Sequence, residues 1–153
     1  AKTEMEVLKE LAANDKGYRS LTKSWFDNSP LLEIIKQAKE LNFKLIITTD
    51  HGTINVKNPS KVVGNKDTSL NLRYKTGRSL SYEQKDVLAV KDPKSIYLPS
   101  SAMNSSFIFA KDSLFFAYPN NYNHYVSYFR NTYQHGGISL EEVIIPFVIL
   151  NPR

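Results

Sequence analysis

No cysteine occurs among the 153 residues, which excludes a disulfide framework and any thiolate metal site. A metal ion held by this chain must therefore take histidine and carboxylate ligands. The same absence fits a reducing compartment, and a cytoplasmic setting is expected. No apolar stretch reaches the ~18 residues that a membrane span needs, and the opening residues, AKTEMEVLKE, read as a charged helix rather than a signal peptide. No membrane partner is expected. Internal repeats and low-complexity tracts are also missing. Acidic residues are fewer than basic ones, 15 against 20, for a formal charge of +5. Lys57, Lys61, Lys66, Arg73, Lys75, Arg78 and Lys85 fall within one short stretch. That cluster suits an anionic partner, although a solvated basic loop has the same composition. Neither a helix-turn-helix nor an RNA-binding signature accompanies it, so direct DNA binding is not expected.

With 41% hydrophobic residues, a chain of this length is expected to form one compact unit that buries roughly 70% of its unfolded surface. Thr3 and Glu6 resemble a capping box, and Met5, Val7, Leu8 and Leu11 have helical spacing, which predicts a short helix over residues 4–13 that ends at Asn14 to Gly17. A second helix opens at SWFDNSP, with Ser29 as cap and Pro30 in the first turn, and Asn42 closes it. FKLIITT is too short for a helix, and its continuous hydrophobicity predicts a central strand covered on both faces. From Gly52 to Asp86 the chain is polar and basic and reads as a long loop, with at most a short strand around LNLRYK. Strands are expected at 87–90, 105–110 and 113–118, the last two joined through Lys111-Asp112 with hairpin-like spacing. YVSYFRNTYQ fits helix or strand. SLEE reads as a serine-capped helical turn, and VIIPFVIL as a closing strand whose Pro146 places it at an edge or bulge. The fold class is α/β.

Two constellations carry chemistry. LIITTDHGTI sets an apolar strand against Asp50 and His51, and ligands of open α/β sheets collect beyond the carboxyl ends of strands. Gly52 permits the turn that would aim both side chains into one cleft. A carboxylate and an imidazole suit Zn²⁺ or Mn²⁺. The dipeptide also fits a surface or capping role. In QHGGISLEEVIIP, His135 precedes two glycines that allow a tight turn, with a helical N-terminus close behind. The alternative is a histidine on the rim of an ordinary turn. His124, in NNYNHYV, reads as a surface loop residue.

TTDHG, a long basic segment and HGGISLEEVIIP together resemble the carboxyl-terminal part of a PglZ domain, in the alkaline phosphatase superfamily. The resemblance runs essentially end to end. TEMEVLKELA, RSLTKSWFDNSPL and the closing strand are similar to PglZ-containing response regulators linked to type IX secretion. The resemblance implies residues 1–153 as the C-terminal portion of a single alkaline-phosphatase-like three-layer domain with a mixed central sheet. It implies two divalent metal ions, commonly zinc, with Asp50, His51 and His135 among their ligands. It also implies a phosphoesterase or phosphodiesterase acting on phosphate-ester or oligonucleotide substrates.

Arg73 and Lys75, in NLRYK, are the candidates to bind those phosphates, the first as a fork and the second as a point charge, while an exposed basic strand end fits the same residues. The nucleophile and the remaining ligands of the superfamily have no counterpart here, so this chain alone is expected to be inactive. Its implied partners are the N-terminal remainder of the PglZ domain and a receiver domain. Two other classes stay open: a non-catalytic nucleotide- or protein-binding regulatory module, and a nucleic-acid-binding output domain whose affinity would fall steeply with salt.

Overall fold

The computed structural model describes residue 12, residues 14–99 and residues 105–152. Helices α1 (Asp15–Asp27) and α2 (Pro30–Glu40) come first, followed by strands β1 (Leu45–Thr48), β2 (Ile54–Val56), β3 (Asn58–Val63), β4 (Tyr74–Gly77) and β5 (Ser81–Tyr82). Strands β6 (Val87–Val90), β7 (Ser106–Ala110) and β8 (Leu114–Ala117) lead to helix α3 (Tyr122–Phe129), strand β9 (Thr132–Gln134), helix α4 (Leu140–Val143) and strand β10 (Phe147–Leu150). The described chain divides into two units, residues 1–50 with 145–153, and residues 51–144.

In the first unit, Asn14 does not end a helix but starts one, because its side chain accepts the Gly17 N–H at 2.9 Å and caps α1. The expected helix over 4–13 falls outside the described residues, Ala12 excepted. Ser29 and Pro30 open α2 as the sequence predicts, and Asn42 follows its end in the left-handed conformation that asparagine tolerates (φ 58°). Strand β1 pairs antiparallel with β10, from Leu45 opposite Leu150 to Thr48 opposite Phe147. The expectation of a central strand buried on both faces is corrected. Among the described residues β1 has one strand neighbour, and its residues alternate between half-buried and exposed. Pro146 stands just before β10, where its missing N–H costs no ladder bond.

The second unit holds three sheets: β2 with β9; β4, β7 and β6 in antiparallel order; and a mixed sheet in which β3 pairs antiparallel with β5 and parallel with β8. Residues 52–86 are therefore not a loop, since four strands run through them. Their pattern is a half-buried alternation, with Ser60 and Val62 inward on β3 and Lys61 and Val63 exposed. The expected strands at 87–90, 105–110 and 113–118 are present to within a residue, but no hairpin joins the last two. The turn at Lys111-Asp112 forms, with the Leu114 N–H on the Lys111 carbonyl at 3.0 Å. The chain then changes sheets, so β7 pairs with β4 and β6 while β8 joins β3. YVSYFRNTYQ is both things in turn, α3 and then β9, and His124 lies exposed on the helix.

Strand β8 explains where the core sits. Consecutive residues of a strand face opposite ways, and Phe115 and Phe116 are both buried. Phe116 packs with Val62, Val87, Ile108 and Ala110, whereas Phe115 packs with Ile54, Val56 and Ala117. The chain is thus an α/β protein with a mixed sheet. Among the described residues no helix is long and apolar enough to cross a membrane.

Candidate functional site

Strand β2 follows the DHG motif and β9 precedes the HGG motif, and their pairing sets Ile54 opposite Gln134. That register carries His51 to His135. Their rings stack face to face, with centroids 3.8 Å apart and planes 7° from parallel. His51 Nδ1 lies 2.8 Å from the Gly52 carbonyl oxygen. A carbonyl can only accept, so Nδ1 is the donor in this contact. This is the arrangement in which a metal-binding histidine holds its ring, the other nitrogen anchored on a backbone oxygen.

The glycines next to the two histidines do different jobs. Gly52 donates its N–H to the Glu142 carbonyl at 2.8 Å, and a Cβ there would lie 2.0 Å from the Glu141 backbone oxygen. Close backbone approach, rather than the freedom to turn, requires glycine at this position. Gly136 has a φ of +99°, a conformation that side chains resist, and it lies against the Asn71 carboxamide. Asn71 fixes the turn from outside. Its Nδ2 donates to the His135 carbonyl at 3.3 Å, while its Oδ1 accepts from the backbone N–H groups of Arg73 and Tyr74 at 2.7 and 3.1 Å.

From inside, the turn is held by Glu142, which is 3% exposed. One carboxylate oxygen accepts from the Gly137 N–H at 2.8 Å and Arg73 Nε at 3.0 Å. The other accepts from Arg73 Nη2 at 2.8 Å, the Ser139 N–H at 3.1 Å and Ser139 Oγ at 2.8 Å. Burial alone would raise the Glu142 carboxyl pKa. The hydrogen bonds from Arg73, Ser139 and Gly137, with the Arg73 charge, outweigh it and hold the group below its ordinary value. Glu142 stays a carboxylate, and it locks the segment after His135 in one geometry.

Arg73 does bind an acceptor as a fork, but the acceptor is Glu142. Its side chain is 0% exposed, and its Nη1 also donates to the Leu114 carbonyl. The expected phosphate fork is thereby corrected to a structural one. Of the seven clustered basic residues, Arg73 and Lys75 are buried and the other five exposed. Lys75 differs from Arg73 in pairing with no carboxylate among the described residues. Nζ donates to the Ser69 carbonyl at 2.8 Å and stands 5.1 Å from the centre of the Tyr118 ring. Burial pulls its pKa down to about 8. Lys75 and His135 line the same cleft, of about 600 Å³.

Asp50 is exposed and ends the first unit, and Thr49 Oγ1 donates to its Oδ1 at 3.4 Å. Among the described residues no three histidine or acidic side chains gather as a metal site. Among the described residues the structure brings His51 and His135 together. The donor types still fit a divalent ion, being an imidazole anchored through Nδ1 and a second imidazole in ring contact with it. Sequence reasoning missed Glu142, and a signal for it existed. Ser139-Leu140-Glu141-Glu142 is a capping-box pattern, and both of its reciprocal bonds form.

Residues 1–150 match the family described as the BREX system PglZ alkaline phosphatase-like domain, and the chain belongs to the PglZ family. Among curated proteins, nothing matches the chain. The superfamily is one of phosphoesterases that generally use divalent metals.

Proposed function

We propose that this chain is part of a metal-dependent phosphodiesterase domain acting on nucleotide-type substrates, within a PorX-type response regulator linked to type IX secretion. The observation that carries this reading is the His51–His135 stack, built by two separate motifs and braced by Asn71 and Glu142. Asp50, His51 and His135 are the residues that would hold two divalent ions, zinc in the first instance. Such ions supply charge stabilisation at the phosphoryl oxygens. The chain's own contribution is to fix the imidazoles: His51 through Gly52, and His135 through the turn that Glu142 closes. No residue among 1–153 is assigned as nucleophile. The partners in this reading are the N-terminal remainder of the PglZ domain and a receiver domain, and the compartment is the cytoplasm.

A second reading, a regulatory module that binds nucleotide without turning it over, draws on the gathering of two ligands rather than three. Turnover of bis(p-nitrophenyl) phosphate by the native protein, with Zn²⁺ or Mn²⁺ added back after chelation, separates the two. Turnover that needs metal and disappears in a folded His135→Ala variant is the expected result. Nucleotide affinity with no turnover in either metal would leave the regulatory module.

A further inference from the structure

The cleft beside His135 is built unlike a plain phosphate site. Its wall is aromatic: Tyr118 lies at the end of β8, and Tyr125 and Phe129 sit one turn apart on α3 with their rings stacked 6.3 Å between centroids. A phosphate alone would call for several cations and backbone N–H groups, and among the described residues the lining offers one ammonium, Lys75, together with His135. A lipid chain would have no use for the carboxamides of Gln134, Asn120 and Asn121, which line the same cleft. Flat aromatic walls, a few donor and acceptor groups and a single buried cation are what a planar heteroaromatic ring requires. The walls stack on its faces, and the polar groups meet its edge.

We propose that this cleft seats the nucleobase of the phosphate ester, with Tyr125 and Phe129 against the ring and Lys75 donating to an acceptor on its edge. Lys75 is suited to that contact. Two of its surroundings are fixed, the Ser69 carbonyl and the Tyr118 ring, and an ammonium has three N–H donors to distribute. The ester's phosphate would then lie towards His135, which lines the cleft and stacks on His51. Placing the phosphate there rests on the phosphodiesterase reading; the ring site does not.

Uncharged nucleosides separate the two. The native protein is mixed with adenosine or uridine in the presence of chelator, and saturation-transfer NMR compares base with ribose protons. Ribose 5-phosphate serves as the ringless control. Strongest transfer to the base protons, with no signal from ribose 5-phosphate, is expected. Calorimetry on Tyr125→Ala should show affinity weakened about ten-fold by loss of one stacking face. Absence of base transfer in the unaltered protein overturns the proposal, even if metal-dependent phosphodiester turnover is found. Base transfer that persists where no turnover exists supports the ring site and removes the phosphodiesterase reading alone. An unfolded Tyr125→Ala would not spoil the test, because the base-proton comparison needs no variant.

Discussion

Glu142→Gln removes the carboxylate that pairs with Arg73, and the consequence can be worked from the geometry. The pair is wholly inside, with side-chain exposures of 0% for Arg73 and 1% for Glu142. Two N–H···O bonds, at 3.0 and 2.8 Å, join them. The amide would leave the guanidinium buried without a counter-charge and would turn an NH₂ group towards donors on Gly137, Ser139 or Arg73. Breaking a buried pair from one side costs about 3–5 kcal/mol, a large part of the roughly 5–15 kcal/mol that keeps a domain folded. Arg73→Met should cost a similar amount. Because both substitutions destroy the same contact, the double variant should fall short of the sum by about 1–3 kcal/mol. Urea titration followed by far-UV circular dichroism gives all four stabilities.

The pH dependence has a sign that can be checked in the same experiment. The Glu142 carboxyl is held below its ordinary value of 4.5. The stability it contributes is therefore present above about pH 4.5 and is lost as pH falls through its folded-state pKa. The wild-type protein should lose stability across that acid window more steeply than Glu142→Gln. A variant within about 1 kcal/mol of wild type, additive with Arg73→Met, would refute the idea that this pair braces the His135 turn.

Lys75 gives the opposite pH prediction. Its amine is lowered from 10.5 to about 8 by burial, so between those values the unfolded chain holds a proton that the folded chain does not. Stability should rise with pH across that window, and Lys75→Met should flatten the rise; the same change in stability between pH 8 and pH 10 in wild type and variant, read from urea titrations, would contradict the burial of this amine. Gly52→Ala should cost about 1–3 kcal/mol, since its Cβ would sit 2.0 Å from the Glu141 oxygen. A thermal midpoint unchanged by that methyl group would mean that the DHG turn and α4 are not in close backbone contact.

The sequence could be read where a local rule had one solution. Ser29-Pro30 marked the start of α2, and the apolar runs of β6, β7 and β8 were plain because each is short and continuous. The serine-capped turn of α4 followed from its own pattern. Residues 52–86 misled because β2 to β5 are two to six residues long, carry Asn, Ser and Lys on their open faces, and include Pro59. Polar alternation of that kind resembles a loop until a partner strand is known. Helix α1 escaped notice because none of its residues is buried, and Asn14 is as suitable for starting a helix as for ending one.

Pairing was the least readable feature. The turn after β7 has hairpin spacing, yet its strands belong to different sheets, a choice made by Phe115 and Phe116 packing into separate clusters. For the site, the two histidines could be found from their glycines. The fate of Arg73 could not, because only the fold shows that Glu142, 69 positions away, reaches it first.

The most direct test of the account is the metal content of the native protein, measured by elemental analysis beside its His51→Ala and His135→Ala variants. About two divalent ions per chain, reduced in each variant while the fold is retained, is the predicted result. A native protein that holds no divalent ion, or one whose metal content is the same in both variants, would contradict the assignment of the stacked histidines as ligands.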